Sequence, residues 1–119
     1  MSRILLLVDD EPDIMSLFRR VLRRSFDEIV FAENGAEARQ ALDQKQVTHV
    51  VSDFFLGADE PKGTTLLAGW RAQYPSLRFA AIFTGRGASE EIDGQPGVDA
   101  VFSKPTGFED LVQRLQTTP

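Results

Sequence analysis

Residues 4–12 read ILLLVDDEP, and the fold turns on how that run ends. Five apolar residues pass directly into Asp9, Asp10 and Glu11, although neighbouring carboxylates repel one another and resist leaving water. A continuous apolar run is the pattern of a strand buried on both faces, as in parallel sheets. The pattern then changes at once: in PDIMSLFRRVLRRS, Ile14, Leu17, Phe18, Val21 and Leu22 recur at helical spacing.

The same alternation continues outward from this first unit. EIVFA precedes NGAEARQALDQK, which opens on the cap candidate Asn34, and HVVSDFF precedes TTLLAGWRAQYP, which stops at Pro75. RFAAIFTG precedes ASEEIDGQPG, and DAVFS precedes FEDLVQRLQ. Five strand–helix pairs imply right-handed crossovers and a parallel sheet covered on both faces. The fourth helix is expected to be short or irregular, because GASEEIDGQPG packs three glycines and a proline into eleven residues. Trp70 falls in the third helix and reads as core.

At 119 residues the chain suits a single domain, 1–119, either complete or the N-terminal part of a longer protein. With 42% hydrophobic residues and no apolar stretch long enough for a bilayer, it reads as globular. The N-terminal apolar run meets acids at once and lacks a small-residue cleavage site, so a cytoplasmic protein is expected. The absence of cysteine excludes disulfides, thiolate metal sites and cysteine nucleophiles. A net charge of −5 argues against direct nucleic-acid binding. The basic run Arg19, Arg20, Arg23 and Arg24 is a local exception, open to two readings: a solvated helix face whose cations suit the helix dipole, or a docking site for an acidic partner.

In an open parallel sheet, ligands bind beyond the carboxyl ends of the strands. The conspicuous polar residues all fall there: Asp9 and Asp10 after the first strand, Asp53 after the third, Thr84 at the fourth and Lys104 at the fifth. Three crowded carboxylates would raise one another's pKa unless a cation neutralised them. Magnesium suits an all-oxygen donor set, whereas the lack of cysteine and the placing of His49 at the start of its strand argue against zinc. A metal held by acids beside a lysine and a hydroxyl is also the equipment for phosphoryl transfer, in which a carboxylate can be the nucleophile. Asp53 then reads as the nucleophile, Asp9 and Asp10 as metal ligands, and Lys104 and Thr84 as phosphoryl contacts. Each residue taken alone has a structural reading, DDEP as a helix start and SKP as a turn; only the conjunction points to chemistry.

The motifs VDDEP, VVSDFF, FTG and SKP together resemble the receiver domain of two-component response regulators over essentially the whole chain. The resemblance implies a flavodoxin-like α/β sandwich with a five-stranded parallel sheet in order 2-1-3-4-5. By position, Asp53 is similar to the phosphoacceptor, Asp9 and Asp10 to the magnesium-binding acids, Thr84 to the switch hydroxyl and Lys104 to the site lysine. It further implies that the Phe55 carbonyl is a metal ligand and that the peptide before Pro105 is cis. A histidine kinase or histidine phosphotransfer protein is the implied phosphodonor, and an output partner or fused effector domain the implied recipient of the signal. The domain itself would catalyse its own phosphorylation and dephosphorylation.

The chain departs from the family pattern at several places. Leu56 and Gly57 stand where Met-Pro is common, and the loop ADEPKG follows. Val101 stands where an aromatic switch residue is usual; Phe102 beside it should point to the opposite face of its strand. Val101 favours a rival reading, a receiver-shaped adaptor whose output does not depend on phosphate. A dehalogenase-type phosphatase is disfavoured, because Phe55 occupies the place of its second acid.

Overall fold

The computed structural model describes residues 2–85, 92 and 94–119. Five parallel strands, β1 (Ile4–Val8), β2 (Glu28–Ala32), β3 (His49–Ser52), β4 (Phe79–Thr84) and β5 (Ala100–Ser103), pair in the order β2-β1-β3-β4-β5. Between and after them run α1 (Pro12–Leu22), α2 (Gly35–Gln44), α3 (Gly63–Gln73) and α4 (Phe108–Thr117). The helix expected within residues 87–97 falls largely on positions outside those described. Ile92, which is described, is buried against the face that carries α2 and α3.

Strand parity divides the core in two. Leu6, Val8, Val50, Ala80 and Ile82 face Ala38 and Leu42 of α2 and Leu67 and Trp70 of α3. Leu5, Leu7, Val51, Phe79 and Phe83 face Phe18 and Leu22 of α1 and Leu111 and Leu115 of α4. Both sides of each central strand are therefore apolar, which is why those strands read as unbroken hydrophobic runs. Val101 and Phe102 obey the same parity, Val101 packing on the first layer and Phe102 on the second.

Helix ends follow from local chemistry. Pro12 occupies the first turn of α1, where its missing N–H costs nothing, and Asp13 lies at the positive end of the helix dipole. Asn34 Oδ1 accepts the Glu37 N–H at 2.9 Å, and Glu37 Oε1 accepts the Glu33 N–H at 2.9 Å. Tyr74 ends α3 because Pro75 restricts the residue before it to extended geometry. One residue of the α1 periodicity departs from expectation: Val21 is 40% exposed. Ile14, Phe18 and Leu22, spaced by four, already cover the sheet, and Val21 lies about 100° round the helix from Leu22.

At the opposite, amino-terminal end of the strands from the acids, His49 is fully buried. Its ring nitrogens meet Thr48 Oγ1 at 2.7 Å and the Thr118 carbonyl at 3.0 Å, and burial holds its pKa below the ordinary value. The Arg3 guanidinium donates to the Leu115 and Thr118 carbonyls at 2.7 and 2.8 Å, tying the end of α4 to the base of β1. His49 is thus a structural residue remote from the carboxyl ends of the strands.

Candidate functional site

Backbone hydrogen bonds carry the ladder one residue past the strands. The Asp9 N–H donates to the Ala32 carbonyl, the Asp53 N–H to Val8 and the Lys104 N–H to Thr84, each at 2.9 Å. Asp9, Asp53 and Lys104, far apart in the chain, are thereby set side by side where the apolar layer ends. Thr84 is 1% exposed at the end of β4, and its carbonyl anchors the lysine backbone.

The carboxylate oxygens of Asp9, Asp10 and Asp53 converge within 4.8 Å of one another. Asp9 is buried at 5% exposure, Asp53 is half-buried and Asp10 faces solvent. An all-oxygen donor set with one open side fits a hard divalent cation that retains waters. Phe55 follows in the next loop; its ring is 37% exposed, with the Lys62 ammonium 4.4 Å from the ring centroid.

Lys104 already supplies a cation to this cluster. Its Nζ lies 2.7 Å from Asp9 Oδ2, 3.1 Å from Asp53 Oδ2 and 3.5 Å from Glu11 Oε2, and its side chain is only 9% exposed. Burial pulls the lysine pKa down, but hydrogen bonding and charge from Asp9, then Asp53, outweigh that and hold it above the ordinary value. The Asp9 carboxyl is raised. Burial is the largest cause, exceeding the opposing hydrogen bonds from Lys104 and the Glu11 N–H, while the charge of Asp53 adds least. Desolvation rather than mutual repulsion is therefore the chief cost at Asp9, which differs from the expectation drawn from crowding alone.

Three features escaped the sequence reading. Glu11, seen there only as one acid of a cluster, reaches Lys104 with its side chain and Asp9 Oδ1 with its N–H at 3.0 Å. Gly63 closes the loop after the acceptor, donating its N–H to the Phe54 carbonyl at 2.8 Å; a Cβ there would stand 2.2 Å from the Asp53 carbonyl oxygen. Glu60 Oε1 accepts the Gly35 N–H at 3.3 Å, tethering the same loop to the start of α2. None has a motif: each depends on which loop the fold brings near.

The Lys104–Pro105 peptide bond is cis. On the outer face of α1, Pro12, Met15, Ser16, Arg19, Arg20, Arg23 and Phe31 line a groove of about 460 Å³, with the Arg19 guanidinium 4.9 Å from the Phe31 ring centroid. No ion pair among the described residues engages Arg19, Arg20, Arg23 or Arg24.

Comparison with known proteins agrees with this geometry. The transcriptional regulatory protein GlrR of Escherichia coli K12 is 33% identical over 113 residues; the match covers 93% of this chain and 25% of GlrR, so the chain spans about a quarter of that relative. The signal receiver domain of an HD domain-containing protein from Pseudomonas fluorescens Pf-5 superposes with a TM-score of 0.84 at 25% identity, covering 99% of this chain and 94% of the other. A response regulator from Burkholderia pseudomallei, solved with a phosphorylated aspartic acid, a calcium ion and citrate, superposes at 0.78 with 28% identity, covering 98% of this chain and 68% of that one. The family described as the response regulator receiver domain matches residues 5–116, and with the 2-1-3-4-5 sheet and the acidic pocket in place, this chain belongs to that family.

Proposed function

We propose that the chain is a phosphoacceptor switch, a single receiver domain over 1–119, which takes a phosphoryl group onto Asp53 in a magnesium-dependent reaction. The observation that carries this reading is the convergence of Asp9, Asp10 and Asp53 around one point, with the Lys104 ammonium 3.1 Å from Asp53 Oδ2. The Asp53 carboxylate attacks phosphorus as the bond to the donor breaks, with a phosphohistidine of a histidine kinase or phosphotransfer protein as the natural donor. Asp9, Asp10, Asp53 and the Phe55 carbonyl are the residues to hold magnesium. When bound, the ion supplies positive charge against the phosphoryl oxygens. Lys104 neutralises a further oxygen, and the Thr84 hydroxyl donates to another.

Phosphorylation adds charge and acceptor oxygens at the carboxyl end of β3, and its effect on partners comes from the different arrangement that Thr84 and Lys104 then favour. The arginine groove on α1 suits an acidic surface of the donor. An output partner or effector domain that reads the switch, and a cytoplasmic location, are part of this reading. Among the described residues no helix is long and apolar enough to cross a membrane.

The test is intact mass after incubation with acetyl phosphate and magnesium. One phosphoryl adduct on wild type, absent from Asp53→Asn and absent in chelator, is the expected result. No adduct on wild type, together with no response to beryllofluoride, would overturn the reading. Val101, a small aliphatic residue packed into the α2/α3 layer, then favours the second reading, an adaptor whose partner contacts are independent of phosphate.

A further inference from the structure

Both oxygens of the Asp9 carboxylate are committed. Oδ1 accepts the Glu11 N–H at 3.0 Å and Oδ2 accepts the Lys104 ammonium at 2.7 Å. Each oxygen keeps a second lone pair, but a divalent cation that takes one of them repels the ammonium beside it and competes with it for the carboxylate charge. The N–H belongs to the N-cap of α1, with Pro12 restricting the backbone next to it, whereas the ammonium rides on a four-carbon stem with three rotatable donors. The lysine is the partner that yields.

A displaced Lys104 ammonium, 9% exposed with its side chain, still needs an acceptor. Asp53 is engaged by the cation and the phosphoryl group in the reading above. Among the described residues the acid that remains in reach is Glu11, whose Oε2 stands 3.5 Å from Nζ, whose side chain is 54% exposed, and which lies outside the converging aspartates. We propose that Glu11 is a positioning residue: it receives the Lys104 ammonium when a divalent cation captures Asp9, and so keeps the lysine at the mouth of the site facing the incoming phosphoryl group. This inference rests on the metal-dependent reading above.

Magnesium affinity measured by calorimetric titration on wild type, Glu11→Gln, Lys104→Met and the double variant tests it. Lys104→Met should bind magnesium more tightly than wild type. Glu11→Gln should weaken binding about two- to fivefold, the scale of a half-exposed ion pair, and in the Lys104→Met background that loss should fall to near unity. An equal loss in both backgrounds, matched by Asp13→Asn, would mean a general field effect and would overturn the assignment. Because Lys104→Met could unfold, lysine ammonium NMR on magnesium-saturated protein gives an independent reading. A hydrogen-bonded Lys104 signal should be retained in wild type and lost in Glu11→Gln; identical signals would overturn the assignment. Wild type that binds no magnesium would instead defeat the metal-dependent reading, and the Glu11 role with it, whereas magnesium binding with an additive cycle defeats Glu11 alone.

Discussion

Replacing Lys104 by methionine keeps the length and apolar stem of the side chain but removes the charge that lies 2.7 Å from Asp9 and 3.1 Å from Asp53. The side chains of those acids are 7% and 12% exposed, so the loss leaves two nearly desolvated carboxylates without a cation. Breaking a buried pair in this way costs about 3–5 kcal/mol. The loss falls around or below the low end of that range, because the cluster opens to solvent at Asp10 and because Asp9, its pKa already raised, can respond by taking a proton. We expect a loss of about 2–4 kcal/mol in chelator at pH 7, or about 8–16 °C in Tm at about 4 °C per kcal/mol for a chain of 119 residues. Calorimetric melting in chelator and in magnesium measures it. The ion substitutes for the missing ammonium, so magnesium should raise Tm more in the variant than in wild type. The deficit should also shrink as pH falls and Asp9 is protonated. A variant that melts within 2 °C of wild type in chelator and responds equally to magnesium would refute the claim that Lys104 neutralises the acids.

Asp9→Asn should melt higher than wild type near pH 7 in chelator. A carboxyl whose folded pKa is raised costs stability as pH climbs from its unfolded value near 3.8 through the folded one, so the difference should vanish below pH 4; melting curves from pH 3.5 to 7.5 check it. Magnesium should reverse the ranking, since the amide replaces one anionic ligand. Gly63→Ala should cost about 1–3 kcal/mol and slow acetyl-phosphate labelling of Asp53, because its Cβ would stand 2.2 Å from the Asp53 carbonyl oxygen; unchanged melting and labelling would show that the loop shifts freely. Reversing charge at Arg19 and Arg23 together should slow transfer from a protein phosphodonor at low salt while leaving acetyl-phosphate labelling unchanged; an unchanged rate would return the arginines to solvated surface.

How far the sequence carries can be seen at particular residues. β1 and β3 were legible because a strand covered on both faces must be apolar at every position, and no helix of this length could bury ILLLV or HVV in that way. The helix starts at Pro12 and Asn34 were legible because capping is local. Val21 was misplaced by the same reasoning, since periodicity locates a face only to within one residue and the width of the sheet beneath α1 decides which of two neighbours is covered. Glu60 and Gly63 were not legible, because their roles depend on Gly35 and on the Asp53 carbonyl, groups that another part of the fold brings into contact.

The sequence by itself determined the alternation of strand and helix, the two apolar layers, and the placing of acids, hydroxyl and lysine at the carboxyl ends of strands, because each follows from short-range periodicity and from the need to keep charge out of a buried sheet. Only the tertiary structure decided how those charges share their partners. Electrostatic energy in a desolvated site depends on separations of a few ångströms and on which oxygen is already engaged. The one-residue overrun of β1, β3 and β5 sets those separations, placing Lys104 between Asp9 and Asp53 with Glu11 in reach.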